Sequence, residues 1–141
     1  FKEFINKYPT IEPYKTEWKV FDSKSSVAGT IDMVYKKPNG ELFIFDWKRT
    51  TKLVNDIGTI IKSDFEYGYD ELENLSNNSY NKYCLQQNLY KYILEDNYGE
   101  KVSSMNILVL HPRYHTYFHL QVPNLIKETE FLIRKAREKS I

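Results

Sequence analysis

A β-hairpin is predicted by residues 27–48, which read VAGTIDMVYKKPNGELFIFDWK. Two runs rich in β-branched and aromatic residues, 27–35 and 41–48, flank a Pro-Asn-Gly sequence at 38–40. Such a sequence between two apolar runs is typical of a tight hairpin turn. Upstream, residues 14–21 alternate with a period of two, as a half-buried strand does. The sequence therefore predicts a three-stranded meander.

Downstream of the meander, helical and strand-like segments alternate. A helix is predicted at 80–98, where Gly99 closes it. The nearly continuous apolar run at 105–110 is typical of a central strand, and the alternation at 117–122 is typical of an edge strand. A second helix follows Pro123. This order of elements predicts an α/β domain with a central mixed sheet and helices on its faces.

Each predicted helix has an apolar stripe and a polar outer face. The stripe of the first helix consists of Leu85, Leu89, Tyr92 and Ile93, and its outer face of Gln87, Asn88, Lys91 and Glu95. The stripe of the second helix consists of Leu125, Ile126, Leu132, Ile133 and Ala136. Its outer face is basic and consists of Lys127, Arg134, Lys135, Arg137 and Lys139.

Residues 52–79 differ from the rest of the chain. They hold six acidic residues against two lysines and are poor in aliphatic residues after Ile61. A segment of this length without regular structure is usually functional or mobile. We therefore expect a long loop or flap at 52–79.

Length and composition limit the class of protein. The 141 residues suffice for one domain, 1–141, and since the first residue is Phe1 we expect this domain to be part of a longer protein. The formal net charge of +1 excludes a simple polycationic nucleic-acid binder. The single cysteine, Cys84, excludes a disulfide framework and favours an intracellular, reducing compartment. No apolar run is long enough to span a bilayer, so we expect no membrane partner.

Charged residues interrupt the apolar strands of the meander. Asp46 and Lys48 project from the same face at the end of the third strand, Asp32 interrupts the second, and Glu17 lies in the first. If the strands are neighbours, the three acids converge, and clustered carboxylates suit Mg²⁺ or Mn²⁺. A lysine beside such a metal can help to activate a water for attack on a phosphate.

The alternative is structural. Asp46 and Lys48 then form an ion pair at a strand end, and Asp32 is a partly exposed acid. That interpretation accounts for each residue singly, whereas charged residues on three successive strands favour a shared site.

The first helix adds two candidates. Gln86 and Tyr90 are four residues apart, so they lie on one side of the helix, with Tyr83 near them. Their polar ends can reach a phosphate or orient the lysine. Alternatively, Tyr90 is a core tyrosine and Gln86 a boundary residue.

Three motifs in order resemble the PD-(D/E)XK nuclease superfamily. They are Gly29-Thr30-Ile31-Asp32, then Asp46-Trp47-Lys48, then Gln86-Gln87-Asn88-Leu89-Tyr90. The pattern is most similar to the RecB-type branch, including relatives of the mitochondrial genome maintenance exonuclease and nucleases of large DNA viruses. The resemblance covers about residue 17 to the C-terminus and implies a restriction-endonuclease-like core.

The resemblance also implies roles. It makes Asp32, Asp46 and the main-chain carbonyl of Trp47 ligands of Mg²⁺ or Mn²⁺, with Glu17 as a further acid, and Lys48 the catalytic lysine. Gln86 and Tyr90 would support the site and contact the scissile strand. The implied activity is a metal-dependent deoxyribonuclease, exonuclease-like and acting on single-stranded or end-bearing DNA, alone or with replication and repair domains.

Other functions stay open at this point. The same fold can serve an inactive nucleic-acid-binding module or an RNA-cleaving nuclease, because the choice of RNA depends on contacts to the 2′-hydroxyl. The sequence also departs from the pattern, since no histidine precedes Asp32 and no strand-threading helices precede the core.

Three further residues are candidates for contact with nucleic acid: Arg49, Lys52 and Tyr83. The basic face of the last helix is a further candidate, and for this face, as for Arg49 and Lys52, a solvated charged surface is at least as good an explanation. His111, His115 and His119 have a regular spacing, but Pro112 and strand-like flanks favour structural or surface roles.

Overall fold

The computed structural model of this protein describes residues 12–49, 53–54, 79–112, 114 and 117–139. The strands in these ranges are β1 (Glu12–Phe21), β2 (Ala28–Lys36), β3 (Leu42–Lys48), β4 (Val102–Val109) and β5 (Phe118–Gln121). The helices are α1 (Ser79–Asn97) and α2 (Ile126–Lys139). The five predicted strands and the predicted helices after residue 79 are all present, with small shifts at their ends.

The strands form one sheet in the order β1-β2-β3-β4-β5. β1, β2 and β3 are antiparallel neighbours, which confirms the meander. β3 and β4 are parallel, and a parallel pair requires a crossover connection, in which α1 lies. β5 pairs antiparallel with β4 at the edge of the sheet. The predicted α/β class with a mixed sheet is thus confirmed.

The hairpin turn has the predicted chemistry. Gly40 has a φ of 89°, a left-handed conformation that glycine adopts without strain. Its N–H donates to the carbonyl of Lys37 at 2.9 Å, and the N–H of Lys37 donates to the carbonyl of Glu41 at 2.8 Å. Gly99, with a φ of 67°, follows the end of α1 in the same way.

The side chains of β3 alternate between the two faces of the sheet, as predicted. Leu42 and Ile44 are buried in the larger apolar cluster, which includes side chains of α1. Phe45 belongs to a second cluster. Asp46 and Lys48 continue the alternation of Leu42 and Ile44, so the strand directs them toward α1.

The predicted outer face of α1 is wrong in part. Gln87 and Asn88 are only 0% and 4% exposed. The Asn88 side chain donates to the carbonyl of Pro123 at 3.0 Å and accepts the N–H of Leu125 at 2.9 Å. Buried backbone groups need partners, and this amide supplies them to the segment that leads into α2. The predicted core leucines of α1, by contrast, are half-buried: Leu85 and Leu89.

The predicted faces of α2 also need correction. Ile126 is 64% exposed, although we assigned it to the apolar stripe. The residues of α2 that are buried are Thr129, Phe131 and Ile133. Arg137, assigned to the outer face, forms an ion pair with the buried Asp22. Helical periodicity does not predict the position of Arg137, because that position depends on an ion pair with Asp22, which is 115 residues away in the sequence.

Most of the predicted flap, 52–79, lies outside the described residues, as does Lys52 itself. Within it, Leu53 and Val54 are fully buried, and the Tyr114 hydroxyl donates to the carbonyl of Val54 at 2.6 Å. This short stretch after β3 is therefore part of the core.

In the described ranges, neither helix has both the length and the hydrophobicity needed to cross a membrane.

Candidate active site

The site is built where β2 and β3 separate. Their pairing ends at Met33 opposite Phe45, whereas β3 continues to pair with β4 as far as Lys48. Beyond the Met33–Phe45 pair, the N–H of Trp47 donates to Oδ2 of Asp32 at 3.0 Å. A side-chain carboxylate therefore takes the place of a strand partner, and this hydrogen bond fixes Asp32 beside the end of β3.

Asp32 and Asp46 lie together, as predicted. Their side chains are in hydrogen-bonding contact, and Asp46 is only 7% exposed. Burial, then the neighbouring Asp32, raises the pKa of Asp46 from 3.8 to about 6, and Lys48 opposes the shift. Two carboxyls in one buried place favour a shared proton or a cation between them.

Lys48 lies beside this pair. Its Nζ is 2.9 Å from Oδ2 of Asp46, and its side chain is 21% exposed. The Lys48 ammonium is therefore the charged partner of the buried Asp46 carboxyl and offsets part of the cost of burying it.

α1 brings Gln86 and Tyr90 to the same place. Tyr90 is 7% exposed and forms hydrogen bonds with the Gln86 side chain and the backbone of Thr30. Burial and then the charge of Asp46 raise the pKa of its hydroxyl. The predicted pair on α1 therefore lies next to the acids on the strands.

Gly29 makes room for the Tyr90 ring. A Cβ at this position would lie 2.9 Å from the Tyr90 hydroxyl oxygen and closer still to the ring. A side chain at Gly29 and the observed position of Tyr90 are therefore incompatible. This contact explains physically why the first motif begins with glycine.

Tyr83 contacts the candidate lysine. The Nζ of Lys48 is 4.1 Å from the centroid of the Tyr83 ring, within the range of a cation–π interaction. Tyr83 was predicted to contact nucleic acid, and the structure places it at the site.

Glu17 does not join the acids. It is exposed and has a φ of 47°, which is unusual for a residue other than glycine. It lies between the pairs Thr16–Met33 and Trp18–Ile31, so a regular strand would place it across from Asp32. Within the described ranges, no three His, Cys, Asp or Glu side chains form a group suited to a metal ion. The predicted convergence of three acids is therefore reduced to two.

The remaining candidates are Arg49 and the three histidines. Arg49 is exposed just after β3. His119 contacts Oδ1 of Asn106 at 2.6 Å, and the His111 ring lies 6.1 Å from that of Tyr114. His115 lies outside the described residues.

One buried charge cluster escaped the sequence prediction. Asp22 is 0% exposed and accepts hydrogen bonds from Arg137 Nε at 3.1 Å and Nη2 at 2.9 Å. Ser25 and Asn97 also donate to it. These partners, Arg137 first, hold the pKa of Asp22 well below its ordinary value. The cluster ties the β1–β2 turn to both helices, and the Asp-x-x-Ser sequence at 22–25 is its local signal.

Solved structures with a similar fold were found, whereas no protein-family model and no curated protein matches the chain. The crystal structure of a protein from Eubacterium rectale, named a "putative exonuclease", matches with a TM-score of 0.50 and 14% identity. That match covers 99% of this chain and 50% of the other. A second crystal structure, of SSO0001, matches with a TM-score of 0.42 and 11% identity over 98% of this chain and 54% of the other.

The chain thus spans about half the length of each of these two proteins. The likeness to the Eubacterium rectale protein supports the fold: the five-stranded mixed sheet with its helices is consistent with a restriction-endonuclease-like core.

Proposed function

We propose that this protein is a metal-dependent nuclease of the PD-(D/E)XK superfamily, of the RecB type, that hydrolyses phosphodiester bonds in DNA. The observation that carries the proposal is the meeting of Asp32 and Asp46 where β2 and β3 separate, with Lys48 Nζ 2.9 Å from Asp46. Three motifs that are distant in sequence contribute to one place in the fold. The similar fold of a protein named as an exonuclease agrees with this function.

The donor set fits a divalent cation. Two carboxyls in contact, one of them buried and with a pKa that is raised despite the neighbouring Lys48, form a site that a further positive charge would stabilise. Asp32, Asp46 and the main-chain carbonyl of Trp47 would hold Mg²⁺ or Mn²⁺. When bound, such an ion polarises a phosphoryl oxygen and stabilises the charge that develops in the transition state.

Lys48 is the candidate for handling the nucleophile. Its ammonium lies beside the acids and remains partly open to solvent, with 21% of the side chain exposed. In that position it can hold a water by hydrogen bonding and orient it toward a phosphate next to Asp46. We expect Arg49, which is exposed just after β3, to contact the phosphate backbone of the same nucleic-acid strand.

Gln86 and Tyr90 support the acid pair from α1. The Tyr90 hydroxyl is tied to Gln86 and to the strand backbone at Thr30, so this contact links α1 to β2. Oε1 of Gln86 is buried without a hydrogen-bond partner among the described residues. It therefore retains the capacity to accept one hydrogen bond within the site.

A cleavage assay tests the proposal. The wild-type protein is incubated with end-labelled single-stranded, blunt and circular DNA, and with matched RNA, in Mg²⁺, Mn²⁺ or chelator. We expect metal-dependent cleavage of single-stranded or end-bearing DNA. Asp46→Asn and Lys48→Ala should abolish cleavage but retain DNA binding.

Lys101→Ala is the matched control, because Lys101 precedes the opposite end of β4 and its side chain is 77% exposed. It should cleave like the wild type. Binding without cleavage in every metal would instead identify a nucleic-acid-binding module. Cleavage of RNA alone would identify a ribonuclease.

A further inference from the structure

We propose that Tyr83 is a positioning residue that holds the Lys48 ammonium in place for catalysis. This inference rests on the proposed function, because it assigns to Tyr83 a part in the use of Lys48. It also replaces the prediction from sequence that Tyr83 contacts nucleic acid. The two roles differ in what they change: a positioning residue changes the rate of the chemical step, and a strand contact changes substrate affinity.

Two contacts from two different elements hold the Lys48 ammonium. Within β3, its Nζ is 2.9 Å from Oδ2 of Asp46. From α1, the Tyr83 ring lies with its centroid 4.1 Å from the same nitrogen. Lysine has a long and flexible side chain, so one contact leaves its end free to move among several positions. A second contact from another direction restricts it.

The two contacts respond differently to a bound cation. The Asp46 oxygen is a candidate metal ligand, and a cation bound there competes with Lys48 for its negative charge. The Tyr83 ring is not a metal ligand, so its attraction for the ammonium is independent of that competition. The Tyr83 ring is therefore the contact that can keep the Lys48 ammonium in place while Asp46 binds a cation.

The helix provides the geometry for this role. Tyr83, Gln86 and Tyr90 are spaced by three and four residues, so they share one side of α1. Tyr90 is anchored by its contact with Gly29. A helix anchored next to the strands in this way places the Tyr83 ring against the Lys48 ammonium at the end of β3.

The kinetic test compares Tyr83→Phe with Tyr83→Leu. Phenylalanine keeps the ring face and should retain kcat within about twofold, whereas leucine removes it and should lower kcat about tenfold or more. KM for labelled DNA should stay within about threefold of the wild type in both variants. Tyr92→Leu is the matched control, since Tyr92 is a half-buried tyrosine of α1 that contacts Arg137 instead; it should leave kcat unchanged.

A second readout does not depend on activity. In protein labelled with ¹³C at lysine Cε, the Lys48 signal should be shifted upfield by the Tyr83 ring current. Its assignment comes from its loss in Lys48→Arg. The shift should persist in Tyr83→Phe and disappear in Tyr83→Leu.

The outcomes separate this inference from the proposed function. Unchanged kcat in Tyr83→Leu, or a rise in KM alone, would overturn the positioning role while leaving the nuclease in place. A wild-type Lys48 signal without the upfield shift would overturn the contact itself. A wild-type protein that cleaves no nucleic acid would overturn the proposed function, and the catalytic role of Tyr83 with it.

Discussion

Gly29 and Tyr90 are in direct contact, with β2 and α1 so close that a Cβ on Gly29 would lie 2.9 Å from the Tyr90 hydroxyl oxygen. Tyr90 has little freedom to move away, because it is only 7% exposed and is hydrogen-bonded to Gln86 and Thr30. We therefore predict that Gly29→Ala destabilises the protein by about 1–3 kcal/mol, the usual cost of overpacking. Urea unfolding measures this change.

The control for this prediction is a double-mutant cycle. Tyr90→Leu removes the ring that the new methyl group would strike, so Gly29→Ala should cost much less in that background. If the two substitutions are additive, the contact does not explain the glycine.

This contact also illustrates the limit of prediction from sequence. The sequence predicts the alternation in β3 because a strand has a period of two, and it singles out Asp46 and Lys48 because their charges interrupt an apolar run. Gly29 and Tyr90 were each part of a motif, but nothing local in the sequence says that they touch. Contacts between distant segments are decided by packing, which the local pattern does not contain.

The errors have the same origin. Asn88 looked like a surface residue because its partners, Pro123 and Leu125, are more than 30 positions away. Arg137 looked like an exposed cation because Asp22 is 115 positions away. Glu17 was expected beside Asp32 because a regular strand was assumed, whereas its φ is 47°.

The raised pKa of Asp46 predicts how the stability of the metal-free protein depends on pH. The pKa rises from an ordinary 3.8 to about 6, so the folded state binds this proton more tightly than the unfolded state does. The stability that the protonated Asp46 carboxyl contributes is therefore present at low pH and is lost as the pH rises through 6. In chelator, Asp46→Asn should gain about 2 kcal/mol relative to the wild type between pH 4 and pH 7.5.

The measurement is urea unfolding of both proteins at the two pH values. Glu138→Gln, an exposed carboxylate of α2, is the control and should show no such relative gain. A wild-type protein and an Asp46→Asn variant with parallel pH dependence would contradict the buried acid pair.

A bound metal ion should offset the loss of stability that accompanies ionisation of Asp46. Because a cation at Asp32 and Asp46 binds the folded state, Mn²⁺ should raise the Tm of the wild type at pH 7.5 by mass action. The rise should be smaller at pH 5.5, where protons compete for Asp46, whose pKa is about 6. Thermal unfolding across a Mn²⁺ titration measures both effects.

Asp32→Asn is the test variant and Asp96→Asn the control, since Asp96 is 42% exposed and pairs with Arg137 instead. The first should lose most of the Mn²⁺ response, and the second should keep it. An equal response in the two variants would place the metal elsewhere.

The Asp22–Arg137 pair should matter for stability alone. Asp22 is 0% exposed, so Arg137→Ala leaves a buried carboxylate without its strongest partner, at a cost of about 3 kcal/mol. Since the partners of Asp22 lower its pKa, its contribution is full above the unfolded value of about 4 and is lost as the pH falls further. The deficit in unfolding free energy of Arg137→Ala relative to the wild type should therefore shrink toward pH 3, as urea unfolding would measure.

The control is Arg134→Ala. Arg134 is an exposed residue of the same helix, so this substitution should lower the unfolding free energy by less than about 0.5 kcal/mol. The same two variants test whether a basic face of α2 contacts nucleic acid. If it does, Arg134→Ala should weaken DNA binding. Arg137→Ala should leave the DNA affinity of the folded protein unchanged, because the Arg137 guanidinium is paired with Asp22 and Asp96.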